Sequence, residues 1–293
     1  MITMSHTPLA SSRFHHRLRV RWAEVDMQKI VFNAHYLMYL DTAMADYWRA
    51  LALPYEATLA ALQGDLYVKK ALLEYHASAR LDDLLDVALR CKHVGKSSIV
   101  FAGDISCSGR SLVSGELVYV FADPATQRSR PVPAALRDVL LAFEAGESMV
   151  DVAVGAWSEL AEGARAVRHE VFVHEQQIPL ALEQDAADAT AVHVLICNRL
   201  GLPVATGRLL QPAPGVGQIG RLAVNRVLRG AGLGQTALKA LMAAAAQRGD
   251  HEVMLHAQAS ARDFYLHQGY VTRGQPFLEA GIEHIEMVRV LSK

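Results

Sequence analysis

Arg229-Gly230-Ala231-Gly232-Leu233-Gly234 decides how the second half of this chain is read. It follows an apolar run, Leu222-Ala223-Val224, and precedes an Ala-rich segment that reads as a helix from Gln235 to Gly249. Three glycines in five residues let a backbone turn tightly and approach a ligand closely. The first amides of the helix behind them carry partial positive charge and have no acceptor of their own, a geometry that suits phosphate. No Gly-Lys-Ser/Thr closes the stretch, so it is not a Walker loop. Gln235 stands where a Gly-x-Gly-x-x-Gly motif has its last glycine, so it is not a complete dinucleotide fingerprint. An ordinary strand-to-helix turn is the plain alternative.

Working outward, Gln218 to Val224 reads as the strand that feeds this loop, and Glu252 to Ala257 as the strand after the helix. Upstream, Val150 to Val154 is a strand, Ser158 to about Val173 a helix with Ser158 as its cap, and Ala191 to Cys197 and Val204 to Leu210 a hairpin. Downstream, Ser260 caps a helix through His267, and two strands run from Tyr270 to the end. Ala261-Arg262-Asp263-Phe264-Tyr265-Leu266-His267-Gln268-Gly269-Tyr270 carries a Phe-Tyr pair ahead of a Gly-aromatic step. Together with the Arg-x-x-Gly-x-Gly loop, this segment resembles the GNAT N-acetyltransferases. Arg168-x-x-Val171-Phe172-Val173-x-Glu175-Gln176-x-x-Pro179, followed by Glu183, Asp185, Asp188 and His193, is similar to their ElaA-type branch.

The resemblance implies acetyl-CoA as substrate and an amine as acceptor, either a small molecule or a peptide. Gly230, Gly232, Leu233, Gly234 and Gln235 would hold the pyrophosphate, with charge added by Arg229. The backbone of Leu222 and Val224 would pair with the pantetheine arm. Tyr265 matches the family's general acid. Glu183, Asp185 and His193 are the candidates for the base, and the residues alone do not choose among them. Asp185, Asp188 and Glu175 are expected to form an acidic mouth for a cationic amine. His169-Glu170 and His174 miss the zincin spacing by one residue. On a regular helix their imidazoles diverge by about 140°, so no metal is expected.

The first half has a different order. A short strand, Leu18 to Trp22, is followed by a long helix from about Ala34 to Leu51, with Leu37, Leu40, Met44, Tyr47 and Leu51 as its apolar stripe. Four strand-like runs follow: Leu66–Ala79, Asp86–Val94, Ser98–Cys107 and Leu112–Ala122. One antiparallel sheet wrapped around one apolar helix satisfies this pattern. Ala134 to Ala145 reads as a peripheral helix, and 144–148 as a linker.

The run from Val20-Arg21-Trp22-Ala23-Glu24-Val25-Asp26 through Phe32-Asn33-Ala34-His35-Tyr36 resembles the opening of hot-dog acyl-CoA thioesterases of the 4-hydroxybenzoyl-CoA or YbgC type. The likeness continues through Glu74-Tyr75, Arg80-x-Asp82-Asp83, Gly95-x-Ser97-Ser98 and Gly115 to about Pro133. It implies that Asp26 is nucleophile or base, that the amides near Asn33 and Ala34 stabilise the thioester oxyanion, and that Asn33 and His35 position water or substrate. Lys29 stands where that family usually has glycine. Glu24 and Asp41 are the fallback carboxylates. Hot-dog domains commonly pair, so a homo-oligomer is expected.

The chain has 293 residues, enough for two domains, and 52% of them are apolar. Its formal charge of −1 gives no electrostatic reason to expect nucleic acid. No apolar run reaches the roughly 20 residues that span a bilayer, and residues 1–12 lack the apolar core of a signal. Three scattered cysteines fit a reducing, cytoplasmic setting. The expected architecture is an α+β two-domain chain. A hot-dog thioesterase-like domain at 13–133, a peripheral helix and linker at 134–148, and a GNAT domain at 149–293 follow one another. The expected function is bifunctional: acyl-CoA hydrolysis by the first half and acetyl transfer to an amine by the second. The alternative is acetyl transfer alone, with a silent oligomerisation or acyl-binding module in front.

Overall fold

The computed structural model describes residues 12–291. The chain divides into two compact units, residues 1–149 and 150–293. Among the described residues no helix is long and apolar enough to cross a membrane.

The first unit contains β1 (Phe14–Arg19), α1 (Asn33–Ala50), α2 (Tyr55–Ala61), β2 (Asp65–Tyr75), β3 (Leu84–Val94), β4 (Ser98–Cys107), β5 (Arg110–Ala122) and α3 (Ala134–Glu144). Its sheet is antiparallel, ordered β1-β3-β4-β5-β2. Helix α1 lies on one face, burying Tyr36, Tyr39, Leu40, Ala43, Met44, Tyr47 and Trp48. These positions follow the helical period and include Leu40, Met44 and Tyr47 of the expected stripe, with Leu51 buried just past the helix; Leu37 alone departs, at 39% exposed. At Gly103 an added Cβ would lie 2.6 Å from Leu40 Cδ2, so glycine permits the close helix–sheet contact.

Three local expectations are corrected in this unit. The first strand ends earlier, at Arg19, and the chain turns through a single 3-10 turn, Trp22–Glu24. That turn is held by Glu24, which is buried and accepts from the Arg21 N–H (2.7 Å), Arg21 Nε (2.6 Å) and the Tyr39 hydroxyl (2.7 Å). Helix α2, which opens behind Pro54, is absent from the sequence expectation. Helix α3 falls where the peripheral helix was expected, but Glu144, placed in the linker, is its last residue and is bonded into the unit. Leu136, Val139, Leu140 and Phe143 are buried, and Glu144 accepts from the Tyr47 hydroxyl at 2.6 Å and the Cys91 amide at 2.8 Å.

The second unit contains β6 (Val150–Ala156), α4 (Trp157–Arg168), α5 (Leu180–Glu183), β7 (Val192–Asn198), β8 (Pro203–Ala213), β9 (Val216–Val224), α6 (Leu233–Arg248), β10 (Glu252–Gln258), α7 (Arg262–His267), β11 (Val271–Glu279) and β12 (Ile282–Val290). The seven strands are ordered β11-β12-β10-β9-β8-β7-β6. Every pair is antiparallel except β9–β10. Helix α6 packs Ala237, Leu238, Leu241 and Ala245 onto Val194, Ile196, Leu209, Ile219 and Leu255 of the sheet.

Helix α4 starts at Trp157 with Ala156 as its cap residue, so Ser158 is not the cap. It then passes into a π-helical stretch, His169–Glu175. A π turn closes i→i+5 contacts, so residues five apart share a face. The His169 and His174 rings are therefore 4.5 Å apart instead of diverging. Among the described residues no group of three or more His, Cys, Asp or Glu side chains could hold a metal ion.

Candidate active sites

In the second unit the site begins with a defect in the sheet. The parallel ladder pairs Glu252–Leu255 with Val216–Ile219 and stops there, although β9 runs on to Val224 and β10 to Gln258. Beyond Ile219 the two strands part. On the other side of β9 the register slips, because Thr206 faces Ala223 while Arg208 faces Gly220. Two residues, Arg221 and Leu222, thus stand opposite the single Gly207, which is a β-bulge. Arg221 takes φ +51°, a left-handed backbone that bulky residues rarely adopt.

The loop quoted at the outset follows β9. Gly230 (φ +87°) and Gly232 (φ +84°) both need the left-handed region, and a Cβ at either would meet open space. Glycine is required there for backbone shape, not for room. Helix α6 opens at Leu233, two residues earlier than expected, with Gly232 as its cap. The amides of Leu233, Gly234 and Gln235 thus lie in its first turn, where no intrahelical acceptor exists. Gly234 sits close to Val224 and Phe264.

Arg229 is placed differently from the expectation that it adds free charge for a pyrophosphate. Its Nη1 and Nη2 donate to Glu175 Oε1 (2.7 Å) and Oε2 (2.6 Å), and its Nε donates to the Val224 carbonyl (3.3 Å). The bonded Arg229 guanidinium holds the Glu175 carboxyl below the usual range.

A cleft of about 380 Å³ opens at the gap between β9 and β10. Leu222, Tyr265, Arg208, Arg221, His256 and Glu183 are among the residues on its wall. Tyr265 is 8% exposed, and burial pushes its phenol up to about 12. It holds its proton at neutral pH, as an ordinary phenol near pKa 10 also does.

The proposed bases are brought to one region but not as free groups. Arg168 Nε donates to Glu183 Oε1, and both side chains are buried. Asp185 accepts from Arg208 Nη1 (2.7 Å) and Arg221 Nη2 (3.1 Å). Asp188 accepts from Arg168 (2.9 and 3.1 Å) and Arg208 (2.8 Å). Arg208, chiefly through its hydrogen bond, holds Asp185 low. Burial pushes Asp188 up, but its bonds to Arg168 and Arg208 outweigh that and hold it low as well. His193 is 1% exposed and bonds the Asp188 carbonyl at 2.9 Å, with burial lowering its pKa, and it is not on the cleft wall. The acidic mouth is thus corrected: Glu175, Asp185 and Asp188 are each bonded to arginine.

His256 and its partner are absent from the sequence expectation. His256 lines the cleft and its Nδ1 lies 3.1 Å from Glu279 Oε2, with Glu279 also on the wall. Strand β10 alternates, burying Val253, Leu255 and Ala257 and leaving His256 and Gln258 on the other face. That period of two was visible in the sequence; the pairing with Glu279 was not.

In the first unit, Asp26 lies in a tight loop. The Val25–Val31 bridge, Asp26 N–H to Ile30 O (2.9 Å) and Phe32 N–H to Glu24 O (3.0 Å) return the chain to the start of α1. Asp26 Oδ1 accepts from the Gln28 amide at 2.8 Å, and Oδ2 has no hydrogen-bond partner among the described residues. Asn33 and Ala34 open α1, where their amides lack intrahelical acceptors. His35 packs edge-on to Phe32 at 6.0 Å. Lys29 has φ +63°, which explains why glycine suits this position. Of the fallback carboxylates, Glu24 is consumed by Arg21 and Tyr39, and Asp41 is exposed on α1.

Residues 153–291 match the family model described as acetyltransferase (GNAT) domain, and residues 28–114 the one described as thioesterase superfamily. The uncharacterized N-acetyltransferase YjcF of Bacillus subtilis is 38% identical over 124 residues, 42% of this chain and 87% of that protein. Among solved structures, an acyl-CoA N-acyltransferase from Pseudomonas aeruginosa is 33% identical with a TM-score of 0.44, covering 48% of this chain and 99% of that one. A thioesterase from Thermus thermophilus, solved with coenzyme A and Zn, is 25% identical with a TM-score of 0.41, covering 46% of this chain and 97% of that one. The chain therefore belongs, through its second unit, to the GNAT acetyltransferases, and it carries a thioesterase-superfamily domain ahead of that unit.

Proposed function

We propose that the second unit transfers an acetyl group from acetyl-CoA to an amine, and that the first hydrolyses an acyl-CoA thioester. One observation carries the first half of this reading. The gap between β9 and β10 lies beside Tyr265 and is followed in sequence by a helix start whose first amides have no intrahelical acceptor and no side-chain cap among the described residues. The Leu233–Gln235 amides would hold the pyrophosphate, and the free edge of β9 would take the pantetheine arm. The amine nitrogen attacks the thioester carbonyl, the C–S bond breaks, and Tyr265 protonates the departing sulfur. His256, oriented by Glu279, takes the proton from the amine. Glu183, Asp185 and His193 then act as the frame and not as the base.

In the first unit, Asp26 Oδ2 and the Asn33–Ala34 amides are the nucleophilic and oxyanion-binding groups of the proposal, with His35 positioning substrate. Val68, Leu72 and Tyr75 are exposed on the edge strand β2, which favours a homo-oligomer formed through this unit. Use of CoA thioesters and three free thiols favours a cytoplasmic setting.

Thiol release by the full chain, with and without amines, tests both halves. Asp26→Asn should lower the amine-independent release and Tyr265→Phe the amine-dependent release, each by about 10²-fold or more. Unchanged rates in both variants would refute the assignments. Lys29 and the Asx turn of Asp26 favour a second reading, in which the first unit is silent. Amine-independent release that Asp26→Asn abolishes overturns it.

A further inference from the structure

The arginine cluster that reaches the cleft wall through Arg208 and Arg221 has an imbalance that the proposed acetyl transfer does not use. Arg168, Arg208 and Arg221 face Glu183, Asp185 and Asp188, three cations against three anions. The group carries no net charge, so it gives a cationic acceptor no electrostatic advantage.

Its hydrogen bonds, however, do not balance. Both oxygens of Asp185 and both of Asp188 are occupied by guanidinium donors, and Glu183 accepts from Arg168 through Oε1, which leaves Glu183 Oε2 as the one carboxylate oxygen of the cluster without a donor among the described residues. The donors are not used up. A guanidinium has five N–H groups. Arg208 spends only Nη1, on Asp185 and Asp188, and its Nε is buried with no partner. Arg221 spends Nε and Nη2 on the Glu183 and Leu182 carbonyls and Asp185, and its Nη1 has no acceptor among the described residues. Arg208 and Arg221 both line the cleft, and Arg208 is 6% exposed. A buried donor without an acceptor is costly and calls for a partner.

Arg221 is also the residue held at φ +51° in the β-bulge. A bulge re-aims the side chain that it carries, and backbone strain of this kind persists at sites that use it. Leu182, Ile178 and Ile282 add apolar surface to the same wall.

We infer that the acceptor is a small amine that also bears a carboxylate, received by Arg208 Nη2 and Arg221 Nη1, the terminal nitrogens that no bond among the described residues uses, with an apolar stem between its two ends. A carboxylate matches the planar fork of arginine. The cleft is the size of a small-molecule site. This rests on reading the cleft as the acceptor site of the acetyltransferase unit.

The test uses the full chain, acetyl-CoA and four sets of amines: amino carboxylates of increasing stem length, their carboxamides, aminoalkyl phosphates, and diamines or polyamines. The expected result is a kcat/KM for the best amino carboxylate at least about tenfold above its carboxamide, the order of one charge-assisted hydrogen bond. Arg221→Gln should bring that ratio towards one, and Arg221→Lys should keep part of it. A general structural role would lower both rates together and leave the ratio intact. Equal or better use of carboxamides, phosphates or polyamines, or no use of any amino carboxylate while acetyl-CoA binds, overturns the inference and leaves the acetyltransferase reading standing. Failure of acetyl-CoA to bind the full chain overturns both.

Discussion

Arg229 grips Glu175 with both terminal guanidinium nitrogens, at 2.7 and 2.6 Å, joining the end of the π-helical stretch to the glycine loop. The pair is partly exposed, with 43% and 25% of the two side chains accessible, so it contributes at most about 1 kcal/mol to stability. Its stronger effect is electrostatic, since Glu175 cancels a cation beside the proposed pyrophosphate site. Glu175→Gln should therefore leave Tm within a few degrees and tighten acetyl-CoA binding by up to about fivefold at low salt. Calorimetric titration of the variant checks this; weaker binding would mean that the pair's role is to shape the loop.

Lys29 predicts a gain on substitution. Its left-handed backbone costs a side-chain-bearing residue about 1 kcal/mol, which glycine avoids in part. Lys29→Gly should hold or raise the unfolding free energy measured in urea, by up to about 1 kcal/mol, and should hold or raise amine-independent thiol release. A loss in both would show that the lysine side chain supports the Asp26 turn.

His193 sets a pH dependence. Burial lowers its folded pKa below the ordinary value of 6.5. The unfolded chain therefore takes up this proton first, and the stability is complete above pH 6.5 and declines as pH falls towards the folded value. The slope is at most about 1.4 kcal/mol per pH unit. Denaturant titrations between pH 5 and 8, a window set on the order of the histidine range, should show a shallower decline for His193→Gln than for the parent chain. Equal slopes would remove His193 from the account.

Some of this site was legible in the chain and some was not. The 229–234 loop was, because glycine at a left-handed position leaves a mark at that position itself. The stripe of α1 was legible at Leu40, Met44, Tyr47 and Leu51 and failed at Leu37, because Leu37 and Tyr36 are both apolar and periodicity alone does not rank them. The π-helical stretch was invisible, since 169–175 continues the chain of α4 with no proline or glycine to mark a break and the wider turn is a tertiary choice. The carboxylates Asp185 and Asp188 were seen but misread. Arg168 lies 20 residues from Asp188, and Arg208 and Arg221 lie 23 and 36 residues from Asp185, so only the fold brings them together.

Hydrogen exchange at the backbone amides of the full chain, with and without acetyl-CoA, tests the central claim most directly. Slowed exchange is expected at residues 230–235 and along 222–224 when acetyl-CoA is added, because those N–H groups gain acceptors or lose water. Unchanged exchange there, with acetyl-CoA present at saturating concentration, would contradict it.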